Sequence, residues 1–420
     1  MEIPRPRYME LLAAKKGNGL VKVITGVRRC GKSYLLFEMF KKSLIQSGII
    51  QDSIVELAFD RFSSAPLRDP NEFYKWATSK LKVAGPGERY VLLDEVQLLG
   101  RFEEVLIDLM SMPNVDVFVT GSNAHLLSRD IATEFRGRGD EVRLAPLSFS
   151  EFMVAYDGDV YQGYEEYSVY GGMPATVPMR SGAEKAAYLE SLFSEIYVND
   201  LVERSGIRNV GDLETVLDVV SSGIGSLTNP KRISDTFKSV GSGKGPGPDT
   251  VRAYIEHLKD AFIVEEAKRY DVKGRKYIGS PFKYYFCDVG LRNARMNFRQ
   301  VEPTHAMENV VYNELRARGF GVDVGVVTKY VRDEGGKQSR KHLEVDFVCN
   351  KGDRRYYVQS AYAIPDEAKH EQEEGPLLEV DDSFKKVMIV RDPVVPRYDD
   401  RGVLVIGVHD FLLDPNSLDA

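Results

Sequence analysis

Cysteine is scarce in this chain: Cys30, Cys287 and Cys349 are the only three in 420 residues. They lie far apart and form no metal-like spacing, so a reducing cytoplasm is the expected location. Long apolar runs are missing as well. None approaches the roughly 18 residues that a membrane span needs, and stretches such as Val387-Met388-Ile389-Val390 are strand-sized. The N-terminus, Met1 to Arg7, lacks the apolar core of a signal peptide. No membrane partner is therefore expected. Basic charge is not in overall excess: the formal net charge is −7, which argues against non-specific nucleic-acid binding by the chain as a whole while leaving room for a local basic patch. No segment repeats. What remains is a globular composition, 43% hydrophobic, long enough for two to four domains.

The most informative stretch is Gly26-Val27-Arg28-Arg29-Cys30-Gly31-Lys32-Ser33, a complete G-x-x-x-x-G-K-S phosphate-binding loop. Its flanks fit. Leu20 to Thr25 alternates and is β-branched, a strand pattern; Tyr34 to Phe40 carries apolar residues at helical spacing. Strand, glycine-rich turn, helix is the context in which backbone N–H groups curl around phosphate oxygens and the helix N-terminus adds partial positive charge. Gly26 through Ser33, with Tyr34, are the expected nucleotide-binding residues. Lys32 is placed to reach the β- and γ-phosphates, and Ser33 to hold Mg²⁺.

A nucleotide hydrolase also needs a carboxylate for the metal and a group that orients water. Tyr90-Val91-Leu92-Leu93-Asp94-Glu95 supplies both at the C-terminal end of an apolar strand, the end that faces ligand in a parallel sheet. Asp94 is the expected Mg²⁺ ligand and Glu95 the residue that polarises the attacking water. A third strand, Val115 to Thr120, runs into Gly121-Ser122-Asn123; Asn123 or Ser122 is the expected polar group between Glu95 and the γ-phosphate. Arg136 and Arg138, flanked by glycines, are alternative candidates for an arginine that reaches a neighbouring subunit's γ-phosphate.

With these residues in view, positions from about 7 to 152 resemble the AAA+ superfamily. More narrowly they resemble bacterial and archaeal ATPases in which an AAA-type domain precedes a domain of unknown function (the 4143 type). The resemblance rests on Thr25 to Ser33, Leu92 to Gln97, Thr120 to Asn123, Phe135 to Arg138 and the string Leu144-Ala145-Pro146-Leu147-Ser148-Phe149-Ser150-Glu151-Phe152. That last string has no chemical role readable from its residues. The resemblance implies ATP and Mg²⁺ as cofactors and action as a homo-oligomer, a ring being one form.

Beyond residue 155 the expected order is a helical lid or connector (156–225), a winged helix-turn-helix (226–295) and a smaller α/β, restriction-endonuclease-like domain (296–420). Ala183–Glu203, with Leu189, Leu192, Phe193, Ile196 and Tyr197 on one face, and Val210–Gly223 read as helices. Residues 228–292 hold 13 Lys or Arg against 8 Asp or Glu. Two helix patterns there precede a two-stranded ribbon, and Arg252, Lys259, Lys268, Lys273, Arg275 and Lys276 are the expected phosphate contacts if DNA is bound. In the last region Glu308 on a helix, Asp346 on a strand, and a strand through Gln359 and Ala361 follow the layout of PD-(D/E)xK nucleases. Gln359 stands where the second acid belongs and Ala361 where the lysine belongs, so cleavage is not expected. Glu371–Glu374 reads as a solvated acidic run. The leading expectation is a Mg-ATP hydrolase that couples turnover to binding or remodelling of duplex or branched DNA. The alternative is a slow, nucleotide-switched protein-interaction ATPase, and the least favoured is an active metal nuclease.

Overall fold

The computed structural model describes residues 2–83, 87–121, 137–240, 245–299, 301–332 and 338–419, apart from the side chains at positions 195, 196, 200, 204, 240 and 332. The chain divides into two compact units. The first comprises Met1–Pro146 with Asp260–Phe262, the second Leu147–Lys259 with Ile263–Ala420.

The first unit is built on five parallel strands: β1 (Val21–Thr25), β2 (Ile54–Ala58), β3 (Arg89–Asp94), β4 (Val115–Thr120) and β5 (Gly139–Arg143). Their order is β2-β3-β4-β1-β5. Parallel sheets are covered on both faces, so their strands read as continuous apolar runs; β1 is buried at every position and β3 at all but the first. Phe73, Ala77 and Leu81 of the Pro70–Val83 helix and Leu106 and Leu109 of the Phe102–Met110 helix pack on this sheet with Val91, Leu93, Val117 and Val119. The order matters for function. β4 lies between β1, which carries the phosphate loop, and β3, which ends in Asp94, so the last residue of β4 sits between the two halves of the site. This parallel sheet with covering helices is the α/β P-loop architecture of an AAA+ domain, as the sequence predicts.

The second unit carries an eight-stranded mixed sheet, ordered β12-β13-β11-β10-β9-β8-β6-β7. Its strands are β6 (Val264–Asp271), β7 (Lys276–Phe286), β8 (Gly321–Arg332), β9 (Gln338–Lys351), β10 (Arg354–Ala361), β11 (Lys385–Val390), β12 (Arg397–Tyr398) and β13 (Val403–Gly407). The Pro303–Ala317 helix lies on one face, where Met307, Val311 and Leu315 meet Phe347, Val358 and Ile389. Leu377 of the Glu367–Leu378 helix packs on the other, with Val345, Tyr357 and Met388.

One expectation needs correcting here. The ribbon read as a wing is not a free appendage: β6 pairs in parallel with β8, Arg269 to Val324 through Asp271 to Val326. The sheet therefore crosses the boundary expected at 295/296. The physical reason is apolar demand, since Ala267 and Tyr285 are fully buried in the same core as the Pro303–Ala317 helix. The string Leu144–Phe152 also acquires an account. Leu144 closes the first unit, its N–H donating to Thr25 O. Ser148 opens a helix in the second unit with a capping box to Glu151, and Phe149 and Phe152 enter that unit's core.

Candidate nucleotide site and a second acid–lysine cluster

The phosphate loop has the backbone its sequence calls for. Gly26 (φ 139°), Arg29 (φ 67°) and Gly31 (φ 102°) lie in the left-handed half of conformational space, and a Cβ on Gly26 would stand 2.1 Å from Leu144 O. No other residue fits there. The helix starts at Lys32, directing its first N–H groups at the loop. Val27 and Cys30 are buried, Cys30 with its Sγ on Leu144 O at 3.5 Å, so its thiol is structural. Arg29, Ser33 and Tyr34 are exposed. Lys32 is 5% exposed, and its ammonium donates to Gly26 O (2.9 Å) and Val27 O (3.0 Å).

Asp94 is buried at the end of β3. Burial raises its pKa; hydrogen bonds from Thr120 and Ser33 pull it back, and repulsion by Glu95 and Asp60 adds to the rise, leaving it above the ordinary carboxylate value. The expected metal-binding hydroxyl of Ser33 is thus near enough to the expected metal-binding carboxylate to lower its pKa. Glu95 follows in a left-handed conformation (φ 51°), a strained setting for a non-glycine residue. Its carboxylate accepts from Gln97 Nε2, and its N–H donates to Thr120 Oγ1 at 3.2 Å.

Thr120 is a residue that the sequence reading missed. Its hydroxyl donates to Asp94 Oδ1 and accepts from the Glu95 N–H, tying the two acids together. The signal was available: a polar residue closing the apolar run of β4. Asn123, Ser122 and Arg136 lie outside the described residues. Arg138 is exposed at the start of β5, its carbonyl accepting from Val21 N–H at 2.8 Å. β1 and β5 are parallel with Val21 opposite Gly139. Arg138 therefore sits at the opposite end of the sheet from its own phosphate loop, about 16 Å along the strand.

In the second unit, Glu308, Asp346 and Gln359 are all buried, and a lysine joins them. Lys283 Nζ lies 2.8 Å from Glu308 Oε1, 2.8 Å from Glu344 Oε1 and 3.6 Å from Asp346 Oδ1. Burial alone would lower its pKa; the pull of Glu308, Asp346 and Glu344 outweighs this and holds it above the ordinary value. Tyr285 donates to Glu308 Oε1 at 2.7 Å. Asp346 is aimed by a bulge: Gly325 pairs with Val345 but Asp323 with Val348, so two residues of β9 oppose one of β8. Burial, then Glu308, pushes its pKa up. Its Oδ2 accepts from Ser360 N–H (2.9 Å), while Gln359 Oε1 accepts from its N–H (3.2 Å). Gln359 Nε2 reaches Glu373 at 3.1 Å, and Ala361, two residues along β10 and so on the same face, lies in the core that includes Leu377 of the Glu367–Leu378 helix. Lys283 was legible only as a lone charge inside the apolar run Phe282-Lys283-Tyr284-Tyr285-Phe286.

Of the expected phosphate contacts, Lys268, Lys273, Arg275 and Lys276 are exposed on and around the β6–β7 turn. Lys273 also stands 3.9 Å from Glu379. Arg252 and Lys259 lie on the Pro248–Asp260 helix, Arg252 at 3.8 Å from Asp249 and Lys259 at 2.9 Å from Glu256 and 3.5 Å from Glu266. Among the described residues, no helix is long and apolar enough to cross a membrane.

Comparison with known proteins fits this geometry. Residues 18–153 match the family model of an AAA domain, and residues 161–302 match a domain of unknown function, DUF8612, rather than the 4143 type expected. The Aeropyrum pernix ORC2 protein, solved in ADPNP–ADP complexes, is 12% identical with a TM-score of 0.36, covering 63% of this chain and 88% of that one. An uncharacterized protein of Methanocaldococcus jannaschii is 26% identical over 366 residues, 84% of this chain and 77% of its own length. An uncharacterized protein of Haemophilus influenzae is 34% identical over 417 residues, 98% of both chains. The protein belongs to the family of that Haemophilus influenzae relative, and its N-terminal part is an AAA-type ATPase domain.

Proposed function

We propose that the protein hydrolyses Mg-ATP as a homo-oligomer and couples turnover to binding or remodelling of DNA. The observation that carries the ATPase half is the strand order: β4 alone separates β1, which runs into the Gly26–Ser33 loop, from β3, which ends in Asp94, and Thr120 at the end of β4 bonds Asp94. Ser33 and Asp94 would hold Mg²⁺, which supplies charge neutralisation at the phosphates. Lys32 leaves its carbonyl partners for the β- and γ-phosphates. The loop N–H groups from Val27 to Tyr34 cradle phosphate oxygens. Glu95, steadied by Gln97 and by Thr120 through its backbone, orients the attacking water. The position of Arg138 supports a shared site: it is too far from its own loop to serve it, so a finger role for Arg138 requires a second copy. Arg136 is the alternative finger, and Asn123 the expected polar group near the γ-phosphate.

The DNA half rests on the exposed basic turn of Lys268, Lys273, Arg275 and Lys276. A second reading, a nucleotide-switched protein-interaction ATPase, is favoured by the acidic partners of Arg252 and Lys259, which compete with phosphate. Cleavage is not proposed. The test is ATPase turnover with single-stranded, duplex, forked and four-way DNA. Stimulation by one of these, lost on replacing the four exposed basic residues, is expected; a rate indifferent to all of them with no gel shift at low salt overturns the DNA half. Mixing Arg138→Ala or Arg136→Ala subunits with Lys32→Ala subunits should partly restore turnover, and failure of both mixtures removes the shared site.

A further inference from the structure

The geometry points to a zinc-class divalent cation site in the second unit, formed by His370, Glu374 and Asp399. His370 and Glu374 are one turn apart on the Glu367–Leu378 helix, and Asp399 comes from the turn between β12 and β13. One potential ligand atom from each lies within 4.8 Å of the others. Ligands on one tetrahedral zinc with bonds of about 2.1 Å lie about 3.4 Å apart. His370 Nε2 already stands 3.7 Å from Glu374 Oε2, and its ring is one-third exposed.

A second observation makes this more than a gathering of acids. Glu374 is 1% exposed. Its Oε2 accepts from Arg401 Nη1 at 2.8 Å, but its Oε1 is buried with no hydrogen-bond donor. Asp399 repeats the pattern. Its Oδ1 accepts from the N–H groups of Arg401 (2.9 Å) and Val403 (2.8 Å), and its Oδ2 is buried without a donor. The two carboxyl groups are also within hydrogen-bond reach of each other. Two carboxylates that close cannot both stay ionised without a cation or a shared proton between them. Burial and the Asp399 carboxylate accordingly push the Glu374 pKa up. Arg401 supplies one positive charge, shared with Glu371 at 3.8 Å, and it faces the other oxygen of Glu374.

The donor set decides the class of ion. One imidazole with two carboxylates suits zinc and its neighbours better than magnesium or calcium, which favour all-oxygen shells. Three protein ligands leave a fourth position for water. The run Glu371–Glu374, which reads as solvated in sequence, thus contains one buried ligand.

The test uses the full chain stripped of metal with a chelator and dialysed. Zinc is titrated against a chromophoric competitor, and cobalt is added in a parallel sample to read its visible ligand-field bands. The expected result is one zinc bound per chain, at least tenfold weaker in His370→Ala and in Asp399→Asn, with the cobalt spectrum altered by both. Far-UV circular dichroism and thermal unfolding confirm that each variant is folded. Should Asp399→Asn fail to fold, His370→Ala, at a partly exposed position, carries the test. An Asp94→Asn chain, in which the nucleotide site is impaired, should bind zinc as tightly as wild type. Wild type that takes up no stoichiometric zinc means a shared proton only and overturns the proposal, as does zinc binding that both variants retain unchanged.

Discussion

Lys32 and Lys283 are both buried, and they are employed in opposite ways. Lys32 is 5% exposed and Lys283 3%, so burial does not distinguish them. Their partners do. The ammonium of Lys32 rests on two backbone carbonyls, Gly26 O and Val27 O. Those dipoles satisfy its hydrogens but leave its charge without a counter-charge, and an incoming phosphate can supply one. The ammonium of Lys283 touches Glu308 and Glu344 and faces Asp346. Its charge is already committed. The acids differ in the same sense. Asp94 is held by the Thr120 hydroxyl, with the Ser33 hydroxyl nearby, partners a metal ion can displace or share. Glu308 and Asp346 are held by a fixed cation. A site prepared for a ligand is electrostatically unfinished; a structural one is closed.

The largest expected effect separates the two lysines directly. Lys283→Met removes the cation from three acids and should cost the fold about 3–5 kcal/mol, read as a lower midpoint in urea denaturation. Lys32→Met should move that midpoint little while abolishing nucleotide binding. A Lys283→Met chain that unfolds at the wild-type midpoint would show the second cluster to be no more closed than the first. Next comes Glu95→Gln. A carboxylate that orients water contributes about 10²–10⁴-fold to rate, so turnover should fall by that factor while ATP affinity, measured by calorimetry, stays within about twofold. Equal loss of binding and turnover would mean that Glu95 shapes the pocket instead.

Thr120 tests the smaller parts of the contrast. Its hydroxyl bonds a charged acid and a backbone N–H. Bonds of that kind are worth about 1.5–3 kcal/mol. Thr120→Val should therefore slow turnover about tenfold or more, and Thr120→Ser should restore most of it. Turnover unchanged in the valine variant would place the coupling of Asp94 and Glu95 elsewhere.

What the sequence reveals of these sites follows the range of the contacts. The phosphate loop is contiguous, and its glycines are forced by local backbone, so Gly26 to Ser33 could be read directly. Asp94 and Glu95 were legible because a buried strand must end somewhere and two acids mark the place. Thr120 was passed over for Asn123 and Ser122 because only the strand order puts the end of β4 between β1 and β3, and order is a property of the whole sheet. Lys283 was hidden for a similar reason. It meets Glu308, 25 residues away, only because β6 joins β8 and carries β7 with it. Local helix-ribbon patterning suggested a wing instead. Gln359 and Ala361 were readable as substitutions within a layout, but nothing local said that a lysine from another strand reaches the same acids. Glu374 looked solvated among acidic neighbours until its helix face was known.

The smallest expected effect concerns a third kind of acid, neutralised by neither metal nor lysine. Asp288 is completely buried and accepts from the N–H groups of Gly172 and Leu291. Burial outweighs these bonds and raises its pKa to about 6. The folded form then holds this proton more tightly than the unfolded form, so the stability it contributes is fully present below the ordinary value of 3.8 and is lost as pH rises through about 6. From pH 8 to pH 6 the gain should be about 0.4 kcal/mol. The measurement is the difference between wild type and Asp288→Asn in how the urea midpoint moves between those two pH values, which cancels every acid the two proteins share. A wild-type increment equal to that of the variant would mean that the backbone N–H groups keep Asp288 ionised. It would then belong with Lys283 among groups whose charge is balanced from within the fold.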